Sequence, residues 1–166
     1  MKLTSLVAQA RVDSPLGPIT LAATGRGLAG LWFDGQAHYP DALNAPADAA
    51  QPFIAQAAAE LQRYWQRDLA GGFQVPLELQ GTLLQRAVWR ALLDIPRGCT
   101  RSYTQLAIQA GAGHAVRAVA GAVARNPLSI IVPCHRVLGR DGALTGYAGG
   151  LERKRALLAL EGAVPG

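Results

Sequence analysis

The stretch Ile130-Ile131-Val132-Pro133-Cys134-His135-Arg136-Val137 sets a thiol and an imidazole side by side directly after a run of β-branched residues. The run predicts a short buried strand, because β-branched side chains suit a half-buried pleated surface and a proline ends regular pairing. Cys134 then stands where the chain leaves the interior, so the strand would deliver its sulfur to a pocket. Taken alone, a cysteine among apolar residues reads as a small packed hydrophobe. A thiol of ordinary pKa, ~8.5, is mostly protonated at neutral pH, so nucleophilic use requires neighbours that draw off its proton. His135 and Glu161 are the residues at hand.

Working outward, residues 81–166 are read as helical with punctuation. Thr82 caps a helix through Leu83, Leu84, Ala87, Val88, Ala91 and Leu92 that ends near Ile95-Pro96-Arg97-Gly98. Two short helices, about 103–109 and about 114–125, are joined by Gly111-Ala112-Gly113, the spacing of a helix-turn-helix. Any short αα-hairpin has that spacing, and the cysteine segment directly after it is what adds weight. In residues 1–80, the runs 6–11, 19–23 and 28–33 form a small antiparallel meander. Residues 38–50 are a loop. Residues 52–69 carry Phe53, Ile54, Ala57, Leu61, Tyr64 and Trp65 at helical spacing, with Gly71-Gly72 as the stop. Residues 73–79 alternate as a last strand, and the domain boundary is placed at Gly81. The fold class is therefore α/β, a small strand-rich domain 1–80 followed by a helical domain 81–166 that holds the helix-turn-helix and the cysteine.

Half of the 166 residues are hydrophobic, enough for a real core. No apolar run reaches the length of a membrane span, and Met1-Lys2-Leu3-Thr4-Ser5 opens no signal-peptide h-region, so a cytoplasmic protein is expected. Two cysteines make no disulfide framework. Charge is uneven: residues 1–80 hold five Lys/Arg against seven Asp/Glu, residues 81–166 eleven against four. A basic half around a reactive thiol suits a polyanion, since nucleic-acid affinity derives largely from phosphate neutralisation. The same arginines also serve solubility. The histidines and cysteines lack paired ligand spacing, so no metal is expected, and no phosphate-binding Gly-rich motif implies a cofactor.

The blocks Arg125-Asn126-Pro127, Pro133 to Val137, Thr145-Gly146-Tyr147-Ala148-Gly149-Gly150, and Lys154, Leu157, Leu158 and Glu161-Gly162 occur in this order. Together they resemble the O6-alkylguanine-DNA alkyltransferases, bacterial branch, over about residues 82–162. Upstream the likeness is limited mainly to Asp13-Ser14-Pro15-Leu16-Gly17-Pro18. The resemblance implies direct DNA repair: irreversible, stoichiometric transfer of an alkyl group from O6-alkylguanine in double-stranded DNA to Cys134, by a monomer that needs no cofactor, with cooperative binding along DNA left open. It implies a Cys–water–His–Glu relay through His135 and Glu161, with Asn126 fixing the turn before the cysteine. Arg117 would be a finger that enters the duplex in place of the extruded nucleotide. Arg136 is placed at the DNA, Tyr103 beside both DNA and flipped base, and Val137, Tyr147 and Ala148 around the base.

Each residue also has a plainer reading. Glu161 could be a solvated helix-end carboxylate, Asn126 an ordinary Asn-Pro turn, Arg117 a surface arginine on an Ala-rich helix, Tyr103 a hydrophobic staple, and Cys99 a packed loop residue. Three other functions fit parts of the pattern: a lesion-binding relative without repair, which Cys134 argues against, a helix-turn-helix transcription regulator reading one operator through Arg117, and a cysteine hydrolase.

Overall fold

The computed structural model describes residues 2–163. Two compact units follow one another along the chain, Met1–Gln80 and Gly81–Gly166. Together they make an α/β protein with an antiparallel sheet in the first unit and helices in the second. Among the described residues no helix is long and apolar enough to cross a membrane.

In the first unit, β1 (Leu6–Val12), β2 (Ile19–Thr24) and β3 (Leu28–Phe33) form an antiparallel meander in that order. Ile19 pairs with Val12 on one side and with Phe33 on the other. Every residue of β2 and β3 is buried, so these short runs are core rather than a one-faced sheet. Gly30 is required here, because a Cβ at that position would overlap the Trp32 ring. Helix α1 (Pro52–Trp65) lays Ile54, Ala57, Leu61 and Tyr64 against the sheet. It begins with proline in its first turn and with Gln51 accepting from the Phe53 and Ile54 amides.

Two expectations for this unit need correction. The helix stops at Trp65, not Leu69, because Arg67 turns into the left-handed region (φ 59°) and Asp68 N–H closes back on the Arg63 carbonyl at 2.8 Å. Gly71-Gly72 therefore lies beyond the stop. Residues 73–79 form no strand: only Leu77 bridges Leu28, through Leu28 N–H to Pro76 O (2.8 Å) and Glu78 N–H to Leu28 O (2.9 Å). Pro76 lacks an amide to donate, so the ladder cannot run on through it.

In the second unit, α2 (Leu83–Leu93) starts at a capping box, with Thr82 and Gln85 each satisfying the other's backbone amide. A second capping box, Ser102 with Gln105, starts α3 (Tyr103–Gln109). Helix α4 (Val116–Ala124) follows, opening two residues later than the spacing suggests and without a side-chain cap. Gly111 makes the turn between α3 and α4 at φ 76°, while Ala112 N–H returns to Ala107 O at 2.8 Å. Helices α2, α3 and α4 pack on one another, and the Trp89 indole N–H donates to Ala122 O (2.9 Å) across the α2–α4 seam. The two-residue strands β4 (Arg101–Ser102) and β5 (Val137–Leu138) pair in parallel, and α5 (Leu151–Leu160) closes the unit.

The predicted strand before the cysteine is absent. Ile130, Ile131 and Val132 are buried, yet they form turns, with Ile130 in the left-handed region (φ 73°). Local bonds replace a ladder: Val132 N–H to Leu128 O (2.9 Å) and Cys134 N–H to Val132 O (2.8 Å). A left-handed β-branched residue is strained and persists only where its surroundings force it. Here the forcing group is Asn126.

Candidate active site

Asn126 leaves the end of α4 and is buried. Its carbonyl oxygen accepts from Leu128 N–H (2.9 Å), and its amide donates to Val132 O (2.8 Å). One side chain thus clasps both ends of the Leu128–Val132 turn and also hydrogen-bonds the Cys134 sulfur. Cys134 opens a single 3-10 turn, Cys134–Arg136, so His135 follows it around a helical turn and not across a pleat. Parallel pairing of Arg101 with Val137 and Ser102 with Leu138 brings the start of α3 beside this turn. That pairing is why Tyr103, thirty-one positions upstream of Cys134, stands near its sulfur.

Cys134 is 4% exposed and His135 is wholly buried. The His135 Nε2 lies 2.8 Å from Glu161 Oε2, with both side chains at 0% exposure. Burial works to raise the Glu161 pKa, but the hydrogen bonds and charges of His135 and Arg136 outweigh it and hold the carboxyl well below the usual range. An ionised carboxylate can only accept, so Nε2 carries the imidazole proton. Burial lowers the His135 pKa despite Glu161, which keeps the ring neutral. Its Nδ1 is then a bare, buried acceptor with no hydrogen-bond partner among the described residues.

The thiol itself runs against expectation. Burial pushes it up to about 11, against the hydrogen bond from Asn126 and the charge of Lys154, so at rest it is protonated. The site does not store a thiolate. It holds a protonated thiol, and the next residue along the chain is a buried neutral imidazole.

Lys154 was not singled out from sequence as more than part of a motif, and its geometry is specific. Wholly buried on α5, its ammonium donates to Val137 O (2.6 Å), Thr145 O (2.9 Å) and Gly146 O (3.2 Å). All three of its protons are used. It clamps the loop after β5 to the segment that carries the cysteine, and burial lowers its pKa to about 8. The signal was present: positions 154, 157, 158 and 161 share one helical face, and the other three belong to a buried pattern.

The clamped loop brings Tyr147 and Ala148, both half-buried, into place, and Gly146 lies beside Tyr103, whose hydroxyl would be 3.8 Å from a Cβ there. Burial, followed by the nearby Cys134, raises the Tyr103 pKa, so its hydroxyl keeps its proton. Arg117 is exposed on α4 next to exposed Ala118 and half-buried Gly121, and the exposed Arg125 that caps the helix lays its Nη1 on the Gly121 carbonyl (3.2 Å). Val137 is wholly buried; it contributes a carbonyl to Lys154 and offers no surface to a ligand.

Arg136 does not point outward as expected of a DNA contact. Its Nε and Nη2 donate to the two oxygens of Glu161 (2.8 and 2.9 Å) and its Nη1 to Ile95 O (2.6 Å). The side chain is 12% exposed, because the buried carboxylate of Glu161 draws the guanidinium inward. Cys99, read as a packed loop residue, is exposed.

Both units have counterparts among known proteins. Residues 7–79 match the ribonuclease-like domain, and residues 83–163 the DNA binding domain, of 6-O-methylguanine DNA methyltransferase. A methylated-DNA–protein-cysteine methyltransferase of Mycobacterium tuberculosis is 48% identical over 150 residues, covering 90% of this chain and 89% of the relative. One from Methanosarcina barkeri is 44% identical over 153 residues, covering 90% and 94%. The crystal structure of Mycobacterium tuberculosis OGT in complex with DNA superposes with a TM-score of 0.86 at 46% identity, covering 95% of this chain and 94% of that one.

Proposed function

The chain belongs to the 6-O-methylguanine DNA methyltransferase family, and from that premise we propose that Cys134 is the acceptor, served by His135 and Glu161, through which it takes an alkyl group from O6-alkylguanine. The protein is a methyltransferase that repairs DNA directly, by moving the alkyl group onto its own cysteine. One observation carries the assignment of roles: the anionic Glu161 fixes Nε2–H of His135, leaving a neutral, buried Nδ1 without a hydrogen-bond partner among the described residues on the residue that follows Cys134.

The lesion base leaves the stack at a cost of a few kcal/mol and enters beside Tyr103 and the Tyr147-Ala148 loop. The Cys134 proton passes to His135 Nδ1, across one bridging water, and the sulfur electron pair forms a bond to the alkyl carbon. The bond from that carbon to O6 breaks, and the Tyr103 hydroxyl donates to the guanine as its charge grows. Glu161 stabilises the imidazolium so formed. The departing guanine anion takes up one proton and the imidazolium gives one up in balance, so neutral guanine is restored, His135 is again neutral and a thioether remains, which water does not readily hydrolyse. Each molecule therefore acts once, and as a monomer. Arg117, exposed on α4, fills the gap in the duplex.

Intact mass after incubation with an O6-methylguanine duplex tests the reading. One added methylene per chain, mapped to Cys134, is expected. Multiple turnovers, or label on Cys99, would overturn it. Tight binding to a single unmodified operator without transfer would favour the transcription-regulator reading instead.

A further inference from the structure

We propose that Arg136 is a positioning residue for the proton relay: its two-pronged hold on Glu161 fixes the carboxylate that orients His135 and sets the pH range in which the transfer runs. The proposal rests on the relay reading above and adds a residue to it.

The geometry is that of a fork. Nε and Nη2 of Arg136 take one carboxylate oxygen each, at 2.8 and 2.9 Å, so the plane of the Glu161 carboxylate is set by the plane of the guanidinium. The Oε2 held by Nη2 also accepts from His135 Nε2 at 2.8 Å. A turn of the carboxylate would therefore break the imidazole contact. The guanidinium is anchored in its turn by Nη1 to Ile95 O (2.6 Å), just past the end of α2. That end of α2 is also tied to α5 by Arg97 Nη2 to Leu160 O at 3.4 Å. The fork thus joins the Cys134 turn, the α2 end and the α5 end around one carboxylate.

Electrostatics gives the arrangement a second consequence. A glutamate alone beside His135 would favour the imidazolium and so occupy the base with a proton before reaction. The charges acting on His135 are Glu161 and Lys154 from α5 and Arg136 from its own turn, and both cations oppose that protonation. Arg136 therefore offsets the very carboxylate it orients. With burial the largest influence against protonation and Arg136 adding to it, Glu161 can hold Nε2–H without loading Nδ1.

Single-turnover transfer rates across pH, with free O6-benzylguanine as substrate, separate this role from DNA contact, and thermal melts check the fold. Arg136→Ala should slow transfer at neutral pH by tenfold or more and move the acid limb of the rate profile to higher pH by about one unit. Arg136→Lys, which keeps a charge and loses the fork, should hold the limb nearer that of the parent while the plateau rate still falls severalfold. Should the alanine variant fail to fold, the lysine variant decides alone, and a parental plateau then overturns the fork. An alanine profile superimposable on the parent's, with weaker binding to duplex DNA and a salt slope smaller by about one, would make Arg136 a phosphate contact and end the proposal. A plateau lowered with no movement of the limb would make it structural only. His135→Ala separates the two readings: if it also leaves the limb in place, the relay itself fails, whereas if it removes the limb that Arg136→Ala leaves untouched, only the role of Arg136 is lost.

Discussion

Glu60 in the first unit and Glu161 in the second are both buried glutamates, 8% and 6% exposed, and they do different work because their partners differ. Glu60 Oε1 accepts from the Gln74 and Val75 backbone amides at 3.0 and 3.1 Å, and Oε2 from the Gln56 side chain at 3.1 Å. Neutral donors from a loop after α1 are gathered onto a helix, which pins a segment that has no ladder of its own. Glu161 meets a guanidinium and an imidazole, and the residue before that imidazole in the same turn is Cys134. Burial of a carboxylate is thus no mark of function by itself. What sets the second site apart is a carboxylate partnered by an imidazole and a guanidinium, both on the turn that Cys134 opens.

The largest test removes the Cys134 thiol. Cys134→Ser should abolish transfer, because a hydroxyl in the same place is a far weaker nucleophile and far harder to ionise, while duplex binding stays near the parental value. Gel-shift titration beside a single-turnover assay checks both halves. Loss of binding in step with transfer would mean that the substitution damages the unit and not only the chemistry.

Next in size is the relay. His135→Ala or Glu161→Gln should slow transfer by ~10²–10⁴-fold, the usual span for a positioned general base, with a much smaller change in DNA affinity. Stability should respond to acid in the same unit. The folded pKa of Glu161 lies below its unfolded value of ~4.3, and that of His135 below ~6.5, so each contributes stability that is complete above the unfolded value and lost as pH falls. The melting-temperature gap between parent and Glu161→Gln should therefore be full at pH 7 and narrow below about pH 4. A gap that widens on acidification would contradict the assigned ionisation.

Arg117→Ala should have a smaller effect, confined to duplex substrate. If a plug of ~1.4 kcal/mol is lost from a flipping cost of a few kcal/mol, repair slows by about tenfold, whereas reaction with free O6-benzylguanine is unchanged. Equal losses on both substrates would indicate a damaged pocket and end the finger assignment. A uniform loss of affinity for all DNA would make Arg117 an ordinary phosphate contact.

The sequence disclosed these two regions unequally. The meander, the capped α2 and the α3–turn–α4 pair were legible because apolar periodicity, Thr82 and Gly111 act locally. The end of α1 was not, since it depends on Arg67 taking a left-handed conformation that glycine would ordinarily signal. Pro76 hid a single bridge inside what alternation offered as a strand. At the site, the family resemblance pointed to Cys134, His135, Asn126 and Glu161, but the direction of Arg136 depends on a carboxylate twenty-five positions away. The strand reading of 130–132 failed for a related reason: β-branched residues state that a segment is buried, and Asn126, not a ladder, decides its path.

The smallest expected effect on chemistry belongs to Glu60, and it is the one that could undo the comparison. Glu60→Ala leaves the part-buried Gln74 amide and the buried Val75 amide without their acceptor, a loss of about 1–3 kcal/mol per group left unmade. For two such groups, roughly 2–6 kcal/mol, the melting temperature should fall by about 4 °C at the least and by on the order of 20 °C at the most, at roughly 2–4 °C per kcal/mol for a chain of this size. The transfer rate per folded molecule, on duplex and on free base alike, should stay within about twofold of the parent, since the hydrogen-bond partners of this carboxylate among the described residues are amides. Glu60→Gln keeps one carbonyl oxygen for the two backbone amides and should recover most of the stability, which would assign the effect to hydrogen bonding and not to charge. If Glu60→Ala instead slows transfer tenfold while the protein remains folded, the first unit contributes to the reaction through this residue, and the division between a carboxylate that holds a loop and one that serves a proton relay fails.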